Sequence, residues 1–88
     1  MKVIYKYPLE LVASQSVMLP LGAKPRRLQI QDNKICMWAE VDEDEGIVQT
    51  IILTIVGTGE RIPPGAVNYI GTVQVGAFLW HVYASTLA

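Results

Sequence analysis

Two segments, residues 47–59 (IVQTIILTIVGTG) and 69–84 (YIGTVQVGAFLWHVYA), restrict the fold more than any other feature of the chain. Both are dense in Ile, Val, Thr and aromatic residues, which suit a pleated, half-buried surface, and no convincing helical period competes with them. The expected fold is therefore all-β: a small antiparallel sheet, sandwich or open barrel of about six to seven strands with little or no helix. It forms one domain over residues 1–88. A chain of 88 residues has a small core, and 51% of its residues are apolar. Either both faces of a sheet are covered or copies pack together, so a homo-oligomer is expected.

Local patterns place the strands. Residues 2–9 alternate Val3, Tyr5, Tyr7 and Leu9 against Ile4, Lys6 and Pro8, and Pro8 makes this an edge strand or ends it there. Residues 15–19 form a second strand, stopped by Pro20 and Gly22, with a two-turn helix over 9–15 as the alternative. Residues 26–30 and 35–41 flank a tight turn in which Asp32 and Asn33 tolerate positive φ. In the return strand Ile35, Met37, Ala39 and Val41 belong to the core, while Cys36, Trp38 and Glu40 share the other face. Residues 42–46 (DEDEG) are a polar tip; residues 47–56, apolar on both faces, are a central strand; residues 57–65 are a long loop. A last hairpin, 69–75 and 78–84, turns at Gly76-Ala77.

The composition excludes several classes. No apolar stretch approaches the roughly 18 residues of a membrane helix, and residues 1–9 lack the form of a signal peptide. A single cysteine permits no internal disulfide and fits a reducing compartment, and a net charge of −1 argues against generic DNA binding. Catalysis would have to pair Cys36 with His81, two residues more simply read as a packed thiol and a hydrogen-bonded sheet histidine. No catalytic set, metal set or cofactor is expected. Residues 42–45 lack the ligand spacing of a calcium loop.

Two groups are candidates for ligand contact. Gly57, Thr58 and Gly59 can present backbone N–H groups and a hydroxyl to an anion, with Arg61 to fork onto it. Arg26, Arg27, Trp38, Tyr69, Trp80 and His81 offer an aromatic and basic contact surface. A solvated strand edge and ordinary core aromatics are the plainer readings of the same residues.

Taken together, residues 4–9 (IYKYPL), 56–59 (VGTG), 69–74 (YIGTVQ) and 81–83 (HVY) give the chain a pattern that resembles a family of small bacteriophage proteins over nearly its whole length. The resemblance carries no activity with it. It implies a context: a phage or prophage product in the bacterial host cytoplasm, working by stoichiometric binding. The leading expectation is a non-enzymatic inhibitor that binds a host protein or defence complex, with residues 57–65 and the final hairpin as its working surface. The alternatives are a sponge for a nucleotide signal and a minor virion or assembly component.

Overall fold

In the computed structural model, which describes residues 1–86, the alternating segments become seven strands: β1 (Lys2–Leu9), β2 (Ser14–Pro20), β3 (Lys24–Gln31), β4 (Lys34–Asp42), β5 (Val48–Gly57), β6 (Asn68–Val75) and β7 (Phe78–Thr86). No helix occurs among the described residues. The strands form two sheets, ordered β1–β4–β3 and β2–β5–β7–β6, and every neighbouring pair is antiparallel. The all-β expectation is met.

Turn chemistry sets the registers. Asp32 and Asn33 both take positive φ, 52° and 63°, the two-residue geometry whose twist matches the strands it joins. Gly76 at φ 61° turns the β6–β7 hairpin, where Ala77 keeps negative φ. Residues 10–13 do not form the alternative helix. The Gln15 side chain takes the backbone of Glu10 instead, its amide nitrogen donating to the Glu10 carbonyl at 2.7 Å and its oxygen accepting the Glu10 N–H at 3.1 Å.

The inner faces follow from the two-residue period. Ile35 and Met37 of β4 meet Ile51, Leu53 and Ile55 of β5 and Val82 of β7 in one core, to which Leu9, Leu19 and Val73 add. Each such burial contributes about 1.5–3 kcal/mol. At one side the sheets converge, and β6 comes close to β3 because Gly71 has no side chain. A Cβ there would stand 3.1 Å from Leu28 Cδ1. The molecule measures 40 × 30 × 16 Å, and its thinnest dimension has room for two sheets packed roughly 10 Å apart and no third layer. One core layer between two open sheets leaves many apolar side chains on outer faces and loops, which accounts for the high apolar content without a second buried layer.

One face assignment needs an addition. Cys36 lies on the outer face of its sheet, as the alternation requires, yet is only 2% exposed. Lys6 of β1 donates to the Gln31 side chain of β3 at 2.9 Å. Since β4 lies between those strands, and Lys6 pairs with Trp38 while Gln31 pairs with Lys34, this bridge crosses β4 at Cys36.

Candidate functional site

Antiparallel pairing brings four connections to one end of the slab: residues 10–13 after β1, the β3–β4 turn, the turn after β5, and the β6–β7 hairpin. Phe78 and Trp80 of β7 stand there with ring centroids 6.3 Å apart. A cleft of about 450 Å³ opens between Gly57, Thr58 and Glu60 on one side and Phe78, Leu79 and Trp80 on the other. Trp80 and Glu60 also line an adjoining hollow with Leu11, Val12 and Ile55. Leu11, Val12, Ile62, Phe78 and Leu79 are all exposed, Phe78 at 67%. Trp80 is half-buried because its inner side packs against the core.

The turn after β5 is closed by its own residues. Glu60 folds back so that its carboxylate accepts the Gly57 N–H, while the Glu60 N–H donates to the Gly57 carbonyl at 3.1 Å. Gly59, at φ 88°, allows the chain to reverse. Gly57 is glycine for want of space: a Cβ would meet Glu60 Oε1 at 2.6 Å and Trp80 Cζ3 at 3.1 Å. The first of the three N–H groups that an external anion would use, that of Gly57, thus already faces an internal carboxylate. Arg61 is exposed and makes no ion pair among the described residues.

From this turn, a hydrogen-bonded line runs over the outer face of the second sheet across β7 to β6. His81 Nε2 lies 2.9 Å from the Thr58 hydroxyl and His81 Nδ1 lies 2.9 Å from the Thr72 hydroxyl, which in turn bonds the Tyr69 hydroxyl. Pairing of Thr72 with His81 in the β6–β7 hairpin fixes one half of this line, and pairing of Val56 with His81 fixes the other. Hydroxyls can both donate and accept, so neutral imidazole can donate to one threonine and accept from the other, and imidazolium can donate to both. Tyr69 packs edge-on against Tyr83, with centroids 5.5 Å apart. A hollow of about 260 Å³, lined by Val56, Ile62, His81 and Tyr83 among others, lies over this line.

The ten candidate residues do not gather at one place. Gly57, Thr58, Gly59, Arg61, Trp80, His81 and Tyr69 lie along the loop end, its connection after β5 and the adjoining outer face of the second sheet. Arg26, Arg27 and Trp38 lie on the outer face of the first sheet, on the other side of the slab. The aromatic and basic residues therefore form two surfaces instead of one. Cys36 and His81 are likewise on opposite outer faces and cannot act on a common substrate atom. Sequence reasoning missed Glu60, Thr72, Leu11 and Val12. Thr72 could have been found by counting back from Gly76-Ala77, which puts it opposite His81.

Charge pairing is confined to surface positions. The Asp44 N–H and then the N-terminal ammonium hold the Asp42 carboxyl below its ordinary range, and the carboxylates of Asp44 and Asp42 raise the ammonium in turn. The polar tip at residues 42–45 is thus closed on the start of β1, at the end of the slab opposite the aromatic cleft. Among the described residues no three His, Cys, Asp or Glu side chains come together as a metal set. No helix there is long and apolar enough to cross a membrane.

Fold and surface together define a small two-sheet β protein with an exposed apolar and aromatic loop end. The chain belongs to the family described as Domain of unknown function (DUF7352), whose model matches residues 1–88. No curated protein and no solved structure matches it.

Proposed function

We propose that the chain is a non-enzymatic, phage-encoded binding protein whose loop end docks on a host protein and blocks or redirects it by stoichiometric association. The observation that carries this reading is the exposed apolar cluster of Leu11, Val12, Phe78 and Leu79 around the half-buried Trp80, with Ile62 exposed beside it over His81 and Tyr83. A half-buried indole gives a rigid anchor, and the exposed neighbours supply area that gains free energy only when covered. The polar line from Thr58 to Tyr69 borders the cluster with groups able to hydrogen-bond a partner, as the rim of a protein interface does. Nucleotide capture would ask the Gly57 turn to accept phosphate beside the Glu60 carboxylate, so the protein-binding reading is favoured.

Affinity capture from a bacterial lysate tests this. Wild type is expected to retain one host protein in near-stoichiometric amount. Phe78→Asp, at a position exposed enough to leave the core intact, is expected to release it. Retention of the same partner by Phe78→Asp, or a wild-type protein that captures nothing, would overturn the assignment.

A further inference from the structure

The first sheet concentrates positive charge on one side of the molecule. Of the seven Lys and Arg residues in the chain, six lie in β1, β3 and β4: Lys2, Lys6, Lys24, Arg26, Arg27 and Lys34. Odd-numbered residues of β4 enter the core, so the even-numbered ones and their partners face outward. Register then places Lys2, Lys6, Lys24 and Arg27 on the face that carries Trp38. A bulge between Pro25 and Arg27 adds Arg26 to this set. One carboxylate lies within the face, Glu40, paired with Arg26 at 3.2 Å and Lys2 at 3.5 Å. Asp42 stands at its end. Lys24, Arg27 and Lys34 have no carboxylate partner among the described residues. Lys6 is held by the neutral Gln31 amide and has no carboxylate partner among the described residues.

Across the middle of the face run Lys6, Trp38 and Arg27, one from each strand and directly paired. At the usual strand spacing this row is about 10 Å wide, with a half-buried indole between two cations. Of the other acidic residues, Asp32 sits in the β3–β4 turn at the end of the face opposite Asp42, and the rest are elsewhere: in the tip at 42–45, at Glu10 and at Glu60. A net charge of −1 therefore coexists with a strongly one-signed face.

We propose that this face binds single-stranded nucleic acid, a base stacking on the Trp38 indole while Lys6, Lys24 and Arg27 take phosphates. Charge complementarity selects a polyanion, and the aromatic at the centre of the cationic row selects one with accessible planar bases. A duplex keeps its base faces stacked, so a flat sheet cannot bring Trp38 against them. An acidic peptide would satisfy the cations and leave the indole without a role. The surface is separate from the loop end proposed to bind protein, and its residues are different.

Fluorescence anisotropy of a labelled oligothymidylate tests the proposal, with a duplex of the same length alongside. For three to four phosphate contacts the slope of log K against log salt is about −2 to −3. Arg27→Ala should make the slope shallower by about 0.7, since each single-strand phosphate contributes roughly that much. Trp38→Leu should weaken binding about tenfold, within the range for one lost base–aromatic stack. Ser16→Glu, which makes the net charge one unit more negative from the other sheet, should change affinity by less than about twofold, because exposed charges beyond a Debye length are screened. Circular dichroism confirms that each variant is folded, and Arg27→Glu, at an exposed position, provides a test independent of the indole. Absence of binding at low salt, equal affinity for the duplex, or full binding by Arg27→Glu would overturn the proposal. Competition by polyglutamate together with an unaffected Trp38→Leu would assign the face to acidic protein instead, which also overturns it.

Discussion

Glu60 and Gly57 form a latch whose strength can be isolated. Replacing Gly57 by Ala puts a methyl group 2.6 Å from Glu60 Oε1 and 3.1 Å from Trp80 Cζ3, so the carboxylate must leave the Gly57 N–H. A hydrogen bond to a charged group is worth about 1.5–3 kcal/mol, and exposure of the turn puts this one near or below the low end, at about 1–1.5 kcal/mol. The Trp80 contact adds a few tenths, while Ala in place of Gly at the end of a strand returns roughly 0.5 kcal/mol. The net cost of Gly57→Ala is about 1 kcal/mol. Glu60→Ala should cost about the same, because it removes the same bond. With Glu60 already absent, the added methyl meets only Trp80, and the second substitution becomes nearly neutral. Urea unfolding of the four proteins at constant m-value should therefore show the double variant about 1 kcal/mol more stable than additivity requires. Additivity to within about 0.3 kcal/mol would refute the latch. It would also leave the Gly57 N–H free, making the turn with Arg61 an open anion site.

Leu53 is fully buried at the centre of β5, and Leu53→Ala should cost about 2–4 kcal/mol in the same urea assay, with a lowered midpoint and unchanged m-value. His81→Phe keeps the ring and removes both nitrogens; it should cost about 1 kcal/mol, and combined with Thr72→Val it should cost less than the sum, since the two share one bond. The Arg26 guanidinium, aided by Lys2, holds the Glu40 carboxyl below its ordinary range. A folded value below the unfolded one means the stabilisation is present above the unfolded value and lost as pH falls through the folded one. Arg26→Ala should move the Glu40 titration, followed by carboxyl NMR, back up towards the ordinary range, and an unmoved titration would contradict the pairing.

Elements whose signals are local were legible. Asp32-Asn33 and Gly76-Ala77 specify their hairpins within four residues, and β1 and the core face of β4 follow from alternation alone. What depended on non-local pairing was not. The division into two sheets, and the insertion of β7 between β5 and β6, bring Thr58 to His81 from 23 residues away. The crossing of β4 by Lys6 and Gln31 joins residues 25 apart, over a cysteine whose packing was legible though the bridge above it was not. Glu60 is a different case. It lies only three residues from Gly57, but the GTG turn drew attention to an outside anion and away from the carboxylate that follows it. The six aromatic and basic candidates share a chemistry and not a surface, because alternation on two sheets sends Trp38 and His81 to opposite sides of the slab.

Amide hydrogen exchange of the chain with and without its captured host partner tests the central claim most directly. The account predicts new protection at residues 11–13, 57–62 and 76–80, with the β1–β4–β3 sheet unchanged. Protection confined to that first sheet, or no change at the loop end while the partner is bound, would contradict it.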